Sequence, residues 1–428
     1  MYHLTYKFKS TENLPRIFEL CKASNDLYNQ ANYIFRQKFI ETSQLVKEGK
    51  LEHAEYLGYR DLDRIMKTEK NLEGNINYRK LKSNTAQQVL MNLDSNWKSF
   101  FRSIKDWKRN PFKYLGMPSL PGYKQKKGLN NLYYTYVGCI IKGNRLQLSK
   151  DLHITIPEYK KFKAKNLKQI IIIPKVDHYE VCIIYKTNRK LAKLDKNKYT
   201  AIDLGISNLI TLTSTETQPV IIDGRKLKNI NQFYNKQKSK YQQINDLQKN
   251  TYSYRLHKLD QRRNQRVNDY LHKTSKRVVD YCIEHRIGKI FVGKNDGWKT
   301  NINLGNKNNQ NIVGIPHSRL IEMIIYKCNY VGIKVVILNE AYTSKCDSMM
   351  LEKICKHETY SGSRISRGLF RSGNGKILNA DVNGALNILR RGLKCKGDSV
   401  ATQIINNGFL FNPFRLTNLD NSSLISNK

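Results

Sequence analysis

Ala201-Ile202-Asp203-Leu204-Gly205-Ile206-Ser207 runs directly into Asn208-Leu209-Ile210-Thr211-Leu212-Thr213. An apolar run, an Asp-x-Gly and a second apolar run rich in β-branched residues read as two strands of a hairpin joined by a tight glycine turn, with one carboxylate at the strand end. Alone, such an aspartate is an ordinary turn residue. Two distant acids change its meaning. Glu340 follows an apolar run in Leu338-Asn339-Glu340, and Asp381 lies in Asn379-Ala380-Asp381-Val382-Asn383-Gly384-Ala385, which opens an amphipathic segment. Hard Mg²⁺ ions want carboxylate oxygens, and two ions held close together clamp the attacking and leaving oxygens of a phosphodiester. Asp203, Glu340 and Asp381 are therefore the candidate catalytic residues and metal ligands, for two Mg²⁺ ions with Mn²⁺ as a substitute.

Composition points to the partner. Across 428 residues, 75 Lys and Arg face 35 Asp and Glu, a formal net charge of +40. A folded chain with that excess repels itself until a polyanion neutralises it, which makes nucleic acid the leading partner. Aromatic residues sit among the cations, as in Tyr133-Tyr134-Thr135-Tyr136 and Trp97-Lys98-Ser99-Phe100-Phe101-Arg102. They suit either stacking on unpaired bases or burial in a core behind solvated lysines. No apolar run approaches the ~18 residues of a membrane helix, and the start Met1-Tyr2-His3-Leu4-Thr5 lacks the apolar region of a signal peptide. The expectation is a cytoplasmic protein with no membrane partner. The eight cysteines form no C-x-x-C pair and read as small core residues rather than a disulfide framework.

Read in order, residues 2–9 alternate like a strand. Apolar residues at three- and four-residue steps from 14 to 107 (Ile17, Leu20, Leu27, Ala31, Phe35, then Val89, Leu93, Trp97, Phe101) predict a helical domain. Pro111, Gly116, Pro118, Pro121 and Gly122 end it. Short strands over 132–186 suggest a small barrel that the first strand joins. One long basic helix is expected from 226 to 286; its Arg262, Arg263, His272 and Lys273 read equally as a solvated face or a phosphate track. Residues 289–293, 320–331 and 334–338 form a strand, a helix and a strand, hence parallel pairing in a mixed sheet. Residues 380–389 form a last helix, followed by an Asn- and Ser-rich tail expected to be flexible.

With these residues in hand, the chain resembles TnpB, the RNA-guided nuclease family of insertion sequences related to type V CRISPR effectors. The matching stretches are 201–207, Asp269-Tyr270-Leu271-His272-Lys273-Thr274-Ser275, Val292-Gly293-Lys294-Asn295-Asp296-Gly297-Trp298-Lys299, Ala341-Tyr342-Thr343-Ser344-Lys345-Cys346, Arg367-Gly368-Leu369-Phe370 and 379–390. The resemblance implies an RNase H-like RuvC nuclease domain at 191–345 and 373–398, split by a ribbon-like insertion that binds target nucleic acid at 346–372. It further implies a wedge-like β-barrel from 1–13 and 110–190, a helical recognition domain at 14–109 and a flexible tail at 399–428. The implied activity is RNA-guided, Mg²⁺-dependent cleavage of DNA beside a target-adjacent motif, by a monomer on one guide RNA (ωRNA or reRNA) with double-stranded DNA as target. Base pairing would then choose the sequence. Asn84, Gln87, Gln88, Tyr123 and Lys124 are candidate readers of the flanking motif, since amides and lysines reach base edges.

Two departures from the family pattern stand out. The second acid normally ends the strand after the long helix, but here that strand end is Phe291-Val292-Gly293-Lys294-Asn295. Glu340, which precedes the Tyr-Thr-Ser segment, corresponds to the glutamate of the Lys-Asn-x-Gly-Trp-Lys subgroup; Asp296 is the competing candidate, and a chain with neither would be a nuclease-inactive RNA-guided DNA-binding repressor. The family insertion usually carries two C-x-x-C pairs, whereas this one offers only Cys346, Cys355 and His357, one short of a closed zinc site. The expectation is an insertion without zinc whose Arg364, Arg367 and Arg371 contact phosphates. A transposase or resolvase acting without guide RNA is the remaining class.

Overall fold

A computed structural model describes residues 2–158, 162–294, 305, 309–310, 313–366 and 368–419. Asp296 and Arg367 lie outside the described residues. The chain divides into two compact units, Met1–Asn188 and Arg189–Lys428. Among the described residues no helix is long and apolar enough to cross a membrane.

In the first unit the apolar periodicity becomes α1 (Leu14–Lys47), α2 (Tyr59–Met66) and α3 (Ser83–Arg109). Ile17, Leu27 and Phe35 of α1 are fully buried with Leu90, Leu93 and Trp97 of α3. The Trp97 ring stacks on Phe35 at 4.1 Å and its indole N–H donates to Asn32 Oδ1 at 3.0 Å. Its burial decides between the two readings of this aromatic: it is core, not a base platform. Tyr134 is likewise buried, while Tyr136 is exposed.

The strands of this unit are β1 (Tyr2–Ser10), β2 (Leu132–Thr135), β3 (Ile140–Lys142), β4 (Arg145–Ser149), β5 (Leu152–Thr155), β6 (Leu167–Pro174) and β7 (Tyr179–Thr187). β1 does join, pairing antiparallel with β7 along its whole length. The strands nevertheless make two sheets, β1-β7-β6-β2 and β3-β4-β5, and among the described residues no ladder joins them. The expected barrel therefore stays open. β3 has 3 residues and β5 has 4 against 9 in β7, too short to continue the long ladder.

The second unit is a six-stranded mixed sheet. Its elements are β8 (Asp195–Leu204), β9 (Asn208–Ser214), β10 (Val220–Asp223), α4 (Arg225–Leu247), α5 (Tyr254–Glu284), β11 (Ile287–Gly293), α6 (His317–Val331), β12 (Lys334–Leu338), β13 (Ser363–Ser366), β14 (Leu369–Arg371), β15 (Ile377–Asn379), α7 (Ala380–Leu393), α8 (Gly397–Asn406) and β16 (Phe414–Leu416). The sheet order is β12-β11-β8-β9-β10-β16. β12, β11 and β8 run parallel, as the strand-helix-strand spacing required, while β8, β9 and β10 form antiparallel pairs. Strand residues alternate between two cores: Ile202 and Val292 pack with α5 and α6, and Ala201 and Phe291 pack with α7.

Two expectations are corrected. The single helix over 226–286 is a hairpin of two, broken where Lys249 adopts φ 53° and Ser253 caps α5 by accepting from the Leu256 N–H. The tail expected to be flexible is ordered through Leu419: α8 buries Ala401 and Ile404, Leu410 is fully buried, and β16 pairs in parallel with β10. Its Asn-rich composition hides apolar residues at helical spacing.

Two strands of the expected 346–372 insertion, β13 and β14, form a three-stranded sheet with β15, which lies beyond those bounds. Its root is held by carboxylates. Asp347, fully buried, accepts from the Met349 N–H at 2.9 Å, Ser372 Oγ at 2.6 Å and the Gly373 N–H at 2.7 Å. Glu352 accepts from the Asp347 and Ser361 N–H groups at 2.7 and 2.9 Å. Nearby, Cys346 Sγ contacts the carbonyls of Lys353 and Cys355, and Cys355 Sγ lies 3.4 Å from His357 Nε2. Removing the Asp347 acceptor strands three donors, each costing on the order of 1–3 kcal/mol. Asp347→Ala should therefore speed amide hydrogen exchange across 363–379; unchanged protection there would show that the ribbon does not rest on this residue.

Candidate active site

Asp203 sits at the end of β8, pairing with Thr211 of β9. On its other side β11 runs parallel, with Val292 opposite Ile202, so Gly293 comes one step later, level with Asp203. Both strands end here. This is the edge of a parallel pair where ligands collect in open α/β sheets.

α7 delivers the second acid. Its N-cap Asn379 accepts from the Asp381 and Val382 N–H groups, which fixes Asp381 in the first helical turn. One turn on, Gly384 faces Asp203: a Cβ built there would lie 3.0 Å from Asp203 Oδ2. The missing side chain is what lets the helix carrying Asp381 come this close. Asn208, buried at the start of β9, donates from Nδ2 to Asp381 Oδ2 at 2.6 Å.

Glu340 reaches the site from one strand further out. Gly293 pairs with Leu338 of β12, and two residues later the chain turns back. A Cβ at position 293 would lie 2.6 Å from Glu340 Oε2. The Glu340 carboxylate thus fills the side-chain space of the inner strand's last residue. α7 secures the bend: Arg391 donates to the carbonyls of Asn339 and, at 2.9 Å, Ala341, on either side of Glu340. Asn387, fully buried, donates to the Thr343 and Cys346 carbonyls at 2.9 and 2.7 Å, and Asn383 to the latter at 2.9 Å.

Burial raises the Asp203 pKa well above the usual carboxylate range, and the charges of Asp381 and Glu340 push it further; the Leu204 N–H and Arg364 oppose this only in part. The three expected acids therefore share one electrostatic field. Among the described residues, however, no three acidic, histidine or cysteine groups stand close enough to form a ready metal cluster. The donor set fits a hard divalent cation on its chemistry: all-oxygen carboxylates with an excess of negative charge that such an ion would relieve.

An open cleft of about 930 Å³ borders the site, lined by the 204–208 turn, Asp381, Arg364, Gly368 and Arg415. Arg364 of β13 lies 3.6 Å from Asp381 Oδ1. The other candidate cations are elsewhere. Arg263 is committed to structure, donating to Asn231 Oδ1 at 2.9 Å and the Gly314 carbonyl at 2.7 Å. Lys273 pairs with Asp269 at 2.9 Å, and Arg262, His272 and Arg371 are exposed. Of the expected motif readers, Gln88 accepts from Gln169 at 3.2 Å, Tyr123 lies against Arg36, and the Lys124 ammonium stands 4.6 Å over the Tyr28 ring. Asn84, Gln87 and Gln88 are half-buried on α3. Sequence reading did not single out Asn208, Gly293, Gly384, Asn383, Asn387, Arg391 or Arg415. Only the asparagines, four apart on an amphipathic helix, gave a signal.

Gly293→Ala should displace Glu340 and weaken Mn²⁺ binding, read by calorimetry, by on the order of 10-fold; parental affinity would mean that Glu340 does not belong to the site. The raised pKa of Asp203 means that the folded state holds its proton more tightly than the unfolded chain, so stability falls as pH rises through the folded value. Without divalent ions, Asp203→Asn should melt above the parent at pH 8, the gap closing on acidification. A variant that melts below the parent at every pH would contradict the like-charge account.

Comparison with known proteins agrees with this architecture. Residues 182–299 match the family OrfB_IS605, described as a probable transposase, and residues 317–388 match the Cas12f1-like TNB domain. The TnpB-like protein ORF457 of Acidianus two-tailed virus is 25% identical over 412 residues, covering 88% of this chain and 83% of the relative. The fold is similar to that of Cas12f1 in its complex with sgRNA and target DNA, with a TM-score of 0.52 and 14% identity over 87% of this chain and 82% of that one. The mixed sheet with its helical regions fits a RuvC-containing TnpB/Cas12 fold, and these matches support a TnpB family protein related to the type V effectors.

Proposed function

We propose that this chain is an RNA-guided DNA endonuclease of a transposable element, cutting DNA complementary to its guide beside a short flanking motif. The observation that carries the reading is the Asp203 carboxylate, held in a shared field with Asp381 and Glu340 beside a cleft lined by Asp381, Arg364 and Arg415. In this reading Asp203, Glu340 and Asp381 would together hold two Mg²⁺ ions. Bound Mg²⁺ supplies Lewis acidity and an activated water, so no protein nucleophile is needed. The chain's own residues do the rest: Gly293 leaves room for Glu340, Asn208 orients Asp381, and the arginines of the cleft draw the phosphodiester in. The +40 charge suits a guide RNA and a DNA target together. Zinc has no role in this reading.

A second reading, a guided repressor without nuclease activity, is favoured by one observation: the three carboxylates do not form a ready metal group among the described residues. One experiment separates the two. RNA copurifying with the protein is sequenced, and the complex is incubated with Mg²⁺ and a plasmid library carrying a matched target beside randomised flanks. Cutting that depends on a flanking motif, and that is lost in Asp203→Ala and after ribonuclease treatment, is expected. Occupancy without cutting would favour the repressor, and cutting that survives ribonuclease would point to an unguided transposase.

A further inference from the structure

Residues 397–419 lie beyond both family matches, which end at residues 299 and 388. They form a strap fastened at four places. α8 packs on α7 through Ala401 and Ile404, and Leu410 is buried in the same core. β16 pairs with β10, where the Phe414 N–H donates to the Pro219 carbonyl at 2.8 Å. The Leu419 carbonyl accepts from the buried Arg277 of α5 at 3.1 and 3.3 Å.

Within β16, Arg415 turns to the cleft. Its Nη2 donates to Asn208 Oδ1 at 2.9 Å, and Asn208 Nδ2 donates to Asp381 Oδ2 at 2.6 Å. A primary amide presents its donor on one side and its acceptor on the other. With Oδ1 held by a cation that only donates, Asn208 must offer its N–H₂ to Asp381. The alternative role for Arg415, neutralising Asp223 at 3.8 Å, is already filled by Arg225, whose Nε donates to the same oxygen at 2.7 Å.

We propose that the C-terminal strap is a positioning element of the candidate site: Arg415, acting through Asn208, fixes the Asp381 carboxylate in the orientation from which it binds a divalent cation. This inference rests on the nuclease reading above, in that Asp381 is taken as a metal ligand. The strap thereby joins ion binding to the docking of a segment outside the matched domains.

The test uses the full-length chain with its copurified RNA, Mn²⁺ as the probe, and spin resonance to count free ion. The parent should bind Mn²⁺ in a way that Asp203→Ala abolishes. Arg415→Gln should weaken that binding by about 10-fold or more, the range for partners that orient a ligand, and Arg415→Lys should recover much of it because an ammonium also donates to Oδ1. A purely structural strap would lower the melting temperature and leave the Mn²⁺ affinity of the folded fraction unmoved. Asn208→Ala leaves Arg415 beside Asp223 and the strap docked, so it reports even if Arg415→Gln does not fold. Parental Mn²⁺ affinity in Asn208→Ala, or in folded Arg415→Gln, overturns the inference while the nuclease reading stands. Absence of Asp203-dependent Mn²⁺ binding in the parent overturns both.

Discussion

The site depends on the polar face of α7. A buried amide without partners costs several kcal/mol, so fully buried Asn383 and Asn387 have stable places only while the 343–348 backbone supplies their partners. That requirement ties helix to loop in one register. From that register follow the positions of Asp381 in the first turn, of Gly384 against Asp203, and of Arg391 on the two carbonyls around Glu340. The sheet supplies one acid. The helix sets where the other two stand.

This explains what was legible in the sequence and what was not. The order of strands and helices around Asp203 was readable because β9, β10 and β11 are short apolar runs buried along most of their length, and because β11, α6 and β12 have the spacing of a parallel crossover. The acids could be nominated because carboxylates past apolar runs are chemically unusual. Asn208 and Arg391 could not, since each acts through backbone or amide contacts between residues 50 or more apart. The break at 248–253 was hidden in a polar stretch where helix and turn residues look alike, and the strap in an Asn-rich tail whose apolar residues are few but periodic. In the first unit, helical periodicity was clear, yet strand spacing alone could not say whether the sheets close, because closure depends on ladder length.

Electrostatically, the second unit gathers acids inside a strongly cationic chain. The cations do not cancel them locally. Arg364 stands 3.6 Å from Asp381, and Arg415 reaches Asp381 only by way of an amide. Asp203 is left in an environment that disfavours its own charge. The cleft lining therefore brings Asp381 together with Arg364 and Arg415, so that negative and positive charge share one surface.

The absence of a side chain at Gly293 has a steric consequence. The volume that a residue there would fill is held by the Glu340 carboxylate and by Ile388 Cδ1, 2.5 Å from the absent Cβ. A side chain at 293 and the Glu340 carboxylate therefore compete for the same space. A side chain added at 293 displaces the Glu340 carboxylate or Ile388 Cδ1, so positions 293, 340 and 388 are coupled through one shared volume.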